Sequence, residues 1–383
     1  MANRLSIAVA HNVITPLGLT SESNYEAIAH GRSALQRYDG KWDIREPFMA
    51  ALTNRPTVEE ACGKEGIDGQ YTYLEKTAIL SIRKALSQCD ADPQSPRTLL
   101  ILSTTKGNVD LLRENPMHLP DDRLHLGATA RVIAEAVGMK SAPIVVSNAC
   151  ISGACAQIEA ARSIASGSYD SVIVCGIEIL SPFIITGFQS LKALTDQPCR
   201  PFDEERTGIN LGDAAATIIY KGVDASQTAQ DQWTLAAGAI RNDAYHISAP
   251  SRKGEGSYRA IMAAMRHADI DEIAFISAHG TATLFNDEME AVAIDRAGMS
   301  QLPVNSLKGY FGHTMGAAGV VETIMSMLAV DNATITATRG FNTLGVSREI
   351  NVTSTAQPTS KTTFLKLMSG FGGCNAAMLM RKL

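Results

Sequence analysis

What this chain lacks narrows it first. None of its seven cysteines stands in a CxxC pair and their spacing is irregular, which argues against a zinc site and a disulfide framework and points to a reducing compartment. No apolar run approaches the roughly 20 residues needed to span a membrane, and the opening MANRLSIAVAHNVITPLG has neither the long apolar core nor the small-residue cleavage site of a secretory signal. Basic clusters interleaved with aromatics are absent and the formal net charge is -5, which disfavours nucleic acid as a partner. The expectation is a soluble, cytoplasmic protein with no nucleic acid bound and no membrane insertion.

What is present is a chain of 383 residues, 45% hydrophobic and 19% charged, with 30 glycines. That is room for one large or two medium α/β domains with a substantial core. Hydrophobic periodicity predicts a first strand, a helix over 21–30, polar surface excursions to about residue 70, and an amphipathic helix over 73–86 with Leu74, Ala78, Ile79, Ile82 and Leu86 on one stripe. A strand over 98–103 follows, continuously apolar as in a parallel sheet buried on both faces. Residues 106–126 read as a loop over a pocket or interface, 129–137 as helix, 171–177 and 214–220 as strands, with an irregular polar span between those two strands. The polar stretch 222–232 marks the boundary between halves, 1–228 and 229–383. The second half repeats the grammar: strands over 233–239, 273–277, 303–305, 363–368 and 376–380, and helices over 258–267, 286–297 and 314–330. Alternation of this kind implies a largely parallel sheet with helical layers.

The chain is organised around Ser147-Asn148-Ala149-Cys150-Ile151-Ser152-Gly153-Ala154-Cys155, a cysteine on a tight turn between the β-branched run Ile144 to Val146 and a small-residue helix over 154–164. A thiol at the first turn of a helix sees unpaired N–H groups and the positive end of the macrodipole, which stabilise thiolate and any adjacent oxyanion. Cys150 is therefore a candidate nucleophile. A small core residue is the alternative, and is the reading for Cys155. Two further loops leave strands in the same way. His279 lies in Ser277-Ala278-His279-Gly280-Thr281-Ala282-Thr283 at the end of a buried strand, the side of a parallel sheet where ligands gather. His313 lies in Asn305-Ser306-Leu307-Lys308-Gly309-Tyr310-Phe311-Gly312-His313-Thr314-Met315-Gly316-Ala317-Ala318-Gly319, again between a strand and a small-residue helix. Lys308 is either a solvated lysine or the partner of Glu322, whose carboxylate falls mid-stripe in an apolar helix where an unpaired charge is costly; a mutual ion pair satisfies both. Ser369-Gly370-Phe371-Gly372-Gly373-Cys374-Asn375 turns between the last two strands, with a ring set among glycines.

In this order NACISGAC, AHGTATLFNDEME, NSLKGYFGHTMGAAGVVE and GFGGCN, supported by ITPLG and RPFDEERTGINLGDAA, resemble the signature blocks of chain-elongating β-ketoacyl-[acyl-carrier-protein] synthases, relatives of thiolases, over essentially the whole chain. The resemblance implies the thiolase-like α/β fold: two similar halves, each with a five-stranded sheet, in five layers α-β-α-β-α. It implies Cys150 as the acylated nucleophile, His279 and His313 as its partners, and Lys308 and Glu322 as supporting charges. The backbone N–H groups of Cys150 and Phe371 would form the oxyanion hole, with Phe371 as gate, and Thr281 and Thr283 would hold the pantetheine arm. No metal or redox cofactor is implied; the substrates ride on the phosphopantetheine of acyl carrier protein, and the protein is expected as a homodimer or as the active half of a heterodimer with a chain-length factor.

The departures from the pattern are Cys374 for Thr, Asp213 for Glu, Ser369 for a second gate Phe, and Ser277 for the Asn frequent two residues before His279, so a bound monovalent cation does not carry over with the resemblance. The span from Lys106 to Cys150, which lines the acyl tunnel and dimer interface in the family, is shorter than usual. The expected reaction is a decarboxylating Claisen condensation in fatty acid, polyketide or polyene synthesis, with the helix lowering the pKa of Cys150 and two neutral imidazoles donating to the thioester oxygen. A thiolase or initiating synthase acting on coenzyme A esters is disfavoured by the second His, and a catalytically dead chain-length factor by the retained Cys150.

Overall fold

A computed structural model describes residues 4–383. Its main sheet has eleven strands: β1 (Arg4–Ile14), β2 (Thr98–Ser103), β3 (Ile144–Val146), β4 (Ser171–Glu178), β5 (Ala214–Asp224), β6 (Trp233–Asn242), β7 (Ile273–Ser277), β8 (Pro303–Asn305), β9 (Asn351–Val352), β10 (Thr363–Gly370) and β11 (Cys374–Lys382). Their spatial order is β9-β8-β7-β10-β11-β6-β1-β5-β4-β2-β3. Within each half the order is the same when its five shared strands are counted from its own start: third, second, fourth, fifth, first. The second strand of each half pairs parallel with the third and fourth, and the fourth, fifth and first pair antiparallel. The halves are thus similar in topology as well as in element order. The expected pair of separate five-stranded sheets is corrected in one respect: Ile7 opposite Thr234 and Ala8 opposite Trp233 join them edge to edge, and β9 adds an outer strand.

The continuous apolar runs explain the layers. Along β2, alternate side chains enter different cores: Leu99 and Ile101 pack with the inner helices Ser152–Ala165 and Ala318–Asp331, and Leu100 and Leu102 with the outer helix Tyr73–Leu86. Each is fully buried, worth about 1.5–3 kcal/mol apiece. In the second half Ile273 and Ile276 face the outer helices Glu255–Ala264 and Leu284–Arg296, while Ala274 and Phe275 join the shared inner core. Helices outside, sheets between and one helical layer in the middle make the five layers of a thiolase-like α/β fold.

Four expectations change. The main sheet is not largely parallel: five of its ten neighbouring strand pairs are antiparallel, among them β10 and β11, whose connecting turn is too short for a crossover. Residues before 70 are more than surface excursions: Gln36–Tyr38, Phe48–Ala51 and Leu211–Gly212 form a small sheet, and Phe48, Ala50 and Ala51 are buried. Strands this short, set among polar residues, show no period. The polar span between β4 and β5 contains the helix Pro182–Ser190, with Pro at its first position and Ile184 and Ile185 buried. The helix expected over 314–330 starts as a 3-10 turn, Met315–Ala317, before the α-helix Ala318–Asp331. Among the described residues no helix is long and apolar enough to cross a membrane.

Candidate active site

The two inner helices bring the first-half turn and the second-half turn together. They cross where Gly153 meets Gly319: a Cβ on Gly319 would lie 2.4 Å from the Ala154 nitrogen, and one on Gly153 3.0 Å from the Val320 nitrogen. Only two glycines allow backbones that close, and the crossing sets the loop ending at Cys150 beside the loop carrying His313. Ser152 fixes the cysteine turn, its hydroxyl accepting from the Asn148 N–H at 2.7 Å and donating to the Ala149 carbonyl at 2.6 Å, while Ala149 takes a left-handed φ of 45°.

Cys150 is buried and stands two residues before the helix Ser152–Ala165. The expected lowering of its pKa is not what the surroundings produce. Burial pushes the thiol up to about 12, Cys374 adds to the rise, and Lys308 and Lys106 oppose it. A helix terminus is worth at most about 2 kcal/mol, roughly one and a half pK units, and is outweighed by desolvation. Cys150 therefore stands as a thiol.

His279 follows β7. Its loop hangs from two buried carboxylates: Glu290 accepts from the N–H groups of His279 and Gly280, both at 2.7 Å, and Asp287 from those of Thr281 at 2.9 Å and Ala282 at 3.1 Å. Burial raises the Glu290 carboxyl to about 7. His313 donates its backbone N–H to the Asn210 carbonyl at 2.7 Å, and neither of its ring nitrogens has a hydrogen-bond partner among the described residues although the side chain is buried. The two imidazoles meet edge to face, centroids 5.0 Å apart, and each offers a nitrogen within 4.8 Å of the other's and of Cys150 Sγ. Burial, then the Lys308 charge, hold both well below the usual histidine range, so both rings are neutral.

Behind His279 the expected ion pair is present and larger than expected. Lys308 Nζ donates to Glu322 Oε1 at 2.7 Å and to His279 Nδ1 at 3.4 Å. An ammonium has no lone pair to offer, so Nδ1 is the acceptor and the network assigns the ring proton to Nε2. The second carboxylate oxygen pairs with Lys366, whose ammonium also donates to the carbonyls of Ser277 at 3.2 Å and Ala278 at 3.1 Å. Burial alone would raise the Glu322 carboxyl, but the two ammoniums together hold it below its ordinary value. A monovalent cation does not fit here, because the oxygens it would take already hold Lys366. A metal dication among Cys150, His279 and His313 would meet the field of the same two lysines.

Thr281 and Thr283 follow His279 in the same loop, their hydroxyls 2.8 Å apart. A Cβ on Gly370 would touch the Cys150 nitrogen at 3.0 Å, so the Phe371 turn approaches the Cys150 backbone. The backbone of that turn is anchored rather than loose: Gly372 donates to the Ile247 carbonyl and Gly373 accepts from the Asp243 N–H, both at 2.7 Å. Phe371 is 37% exposed and its ring lies against Phe188, centroids 5.8 Å apart. Cys374, in place of Thr, donates its thiol to the Phe371 carbonyl at 3.2 Å.

Every residue expected from the sequence stands in this region; Lys366, Glu290 and Glu178 join them without having been expected. Lys366 interrupts an apolar strand, the same anomaly that marks Glu322 in its helix. Glu178 accepts from the N–H of Thr105 and from that of Gly316, both at 2.9 Å, tying the end of β2 to the turn after His313; its only signal is a carboxylate ending an apolar strand.

Fold and site together define an acyltransferase of the thiolase-like class. The family model described as the N-terminal domain of β-ketoacyl synthases matches residues 104–225, and that described as the C-terminal domain matches 234–342. The 3-oxoacyl-[acyl-carrier-protein] synthase 2 of Vibrio cholerae is 32% identical over 421 residues, covering 100% of both chains. This chain belongs to the β-ketoacyl synthase family. Among solved structures, a β-ketoacyl synthase from Burkholderia phymatum matches with a TM-score of 0.85 at 21% identity over 99% of this chain and 100% of that one. A ketosynthase in complex with its chain length factor from Xenorhabdus doucetiae matches at 0.84, with 23% identity over 99% of this chain and 98% of that one.

Proposed function

We propose that this β-ketoacyl synthase joins an acyl group held on Cys150 to malonyl-acyl carrier protein. The Cys150 sulfur attacks the carrier thioester and the carrier leaves as its thiol, taking the cysteine proton. Malonyl-carrier then loses carbon dioxide, the enolate carbon attacks the acyl carbonyl, and the Cys150 sulfur leaves as thiolate and takes a proton from water to return to the thiol. The observation that carries the reading is His313: a buried ring with two unpartnered nitrogens lacks a hydrogen-bond partner that a substrate oxygen would supply. Beside it His279 presents Nε2–H, so two neutral donors converge where the enolate oxygen would develop charge. Lys308 and Glu322 hold His279, the backbone N–H groups of Cys150 and Phe371 take the acyl oxyanion, Phe371 gates entry, and Thr281 and Thr283 bind pantetheine.

Acyl carrier protein is the partner under this reading, in the cytoplasm, and no metal or further cofactor takes part. The seam between halves is placed at residues 228 and 229, which the gap between the two family matches supports. A homodimer is expected; pairing with a chain-length factor is favoured as the second reading by the Xenorhabdus neighbour, and native mass spectrometry separates the two. The experiment for the reaction supplies malonyl-carrier with acyl-carriers of graded length and reads the elongated products. No product with any acyl length, from protein that remains folded, overturns the proposal.

A further inference from the structure

Lys366 is the one charged residue of strand β10 and is fully buried, and its ammonium donates to the Ser277 carbonyl at 3.2 Å, the Ala278 carbonyl at 3.1 Å, the Ser277 hydroxyl at 3.4 Å and the Glu322 carboxylate. Two main-chain carbonyls, a hydroxyl and a carboxylate are the kind of oxygen cage that replaces the hydration shell of an alkali cation. Taking an ammonium out of water costs several kcal/mol, so a chain that needed only apolar filling would do better with Met or Leu at this position. The contacts also have a direction. Ser277 and Ala278 are the two residues before His279, and Glu322 is the group that holds Lys308 against His279 Nδ1.

We propose that Lys366 is a tethered monovalent cation, a positioning residue that neutralises the outer oxygen of Glu322 and ties the Ser277–Ala278 carbonyls, and so keeps Lys308 under Nδ1 and the proton of His279 on Nε2. Glu322 has one oxygen for each ammonium. Without Lys366 the outer oxygen is unpaired in the interior, and the carboxylate can rotate to take Lys308 with both oxygens, drawing it away from the 3.4 Å contact with the imidazole. The His279 backbone is loosened by the same loss, since two carbonyls next to it lose their donor. The kinetic part of this inference rests on the condensation reading above; the binding part does not.

The test compares the natural protein with Lys366→Ala, which opens the cage, and Lys366→Met, which fills it without charge. Malonyl-carrier decarboxylation by the natural protein should be the same in potassium, sodium or choline chloride at equal ionic strength. Lys366→Ala should lose on the order of 100-fold, the usual effect of losing one preorganised electrostatic group, and regain part of that in potassium or methylammonium but not in choline. Lys366→Met should lose as much and regain nothing. Independently of turnover, crystals of Lys366→Ala soaked in thallium(I) should show an anomalous peak among Ser277, Ala278 and Glu322, and the natural protein none there; ring nitrogen NMR shifts should place the His279 proton on Nε2 in the natural protein. A thallium peak in that cage of the natural protein, dependence of the natural protein on potassium or sodium, or Lys366→Ala with neither peak nor rescue each overturns the proposal. Should Lys366→Ala not fold, the natural-protein arms and Lys366→Met still decide it. If the natural protein decarboxylates nothing, the reaction reading fails while the thallium and NMR results still judge the cage.

Discussion

At the scale of single residues the site separates two tasks. Under the proposed reaction, acyl transfer would use the Cys150 sulfur and an oxyanion hole made by the neighbouring backbone, and decarboxylation would draw the donors for its enolate from the two imidazoles. His279→Ala and His313→Ala are therefore expected to keep measurable acylation of Cys150 while carbon dioxide release falls by about 100- to 1,000-fold, checked by trapping the acyl-enzyme and measuring release in parallel. The raised thiol leads to a second expectation. Because burial pushes Cys150 up to about 12, a small alkylating reagent should label it slowly at pH 7, and faster as pH rises through 9, whereas a carrier-borne electrophile that fills the site should label Cys150 alone among the seven cysteines. Peptide mapping distinguishes it from Cys155 and Cys374. The two histidines also link stability to pH. Their pKa values are lowered from 6.5, so below that pH the unfolded chain binds protons the native site refuses, and stability falls with falling pH by up to about 1.4 kcal/mol per pH unit per ring. A shallower acid-side slope of denaturation midpoints in His313→Gln checks the sign. Cys150, His279, His313 and the Lys308–Glu322 pair were legible in the sequence because each sits in a local strand-turn-helix signature or breaks an apolar pattern. The thiol's raised pKa was not, because desolvation is a property of the whole surround, and Lys366 acquires its meaning only from Glu322, 44 positions away.

Elements fix the geometry that residues exploit. The inner helices cross in close backbone contact at Gly153 and Gly319, and Gly319→Ala would force a Cβ to within 2.4 Å of the Ala154 nitrogen. Overpacking of this kind costs about 1–3 kcal/mol and separates Cys150 from His313, so a lowered Tm and a greater loss of condensation than of overall helix content are expected, measured by calorimetry and circular dichroism beside an activity assay. The Phe371 turn makes a complementary case. Its backbone is tied to Asp243 and Ile247, so Phe371→Ala should leave the fold and Cys150 unaltered and impair ordered condensation; unchanged turnover would show that the ring only packs on Phe188. The long elements of both halves were readable because their periodicity is strong and their boundaries move by only a few residues. The small sheet through Phe48–Ala51 was not, since strands of two to four residues are defined by partners far along the chain.

At the scale of the molecule, the repeated strand order and the shared helical layer place Cys150 on one half and both imidazoles on the other. Ala225–Gln227, between those halves, is an exposed 3-10 turn, where a cut would break few contacts. A protease site introduced there and cleaved should leave a nicked protein whose pieces stay associated through the joined sheet and the crossed helices, and which keeps its turnover. Cleavage changes the molecularity of assembly all the same. Once denatured, the nicked protein must find its other half by diffusion, so activity should return at a rate that rises with protein concentration, while the uncut chain recovers at a rate indifferent to it.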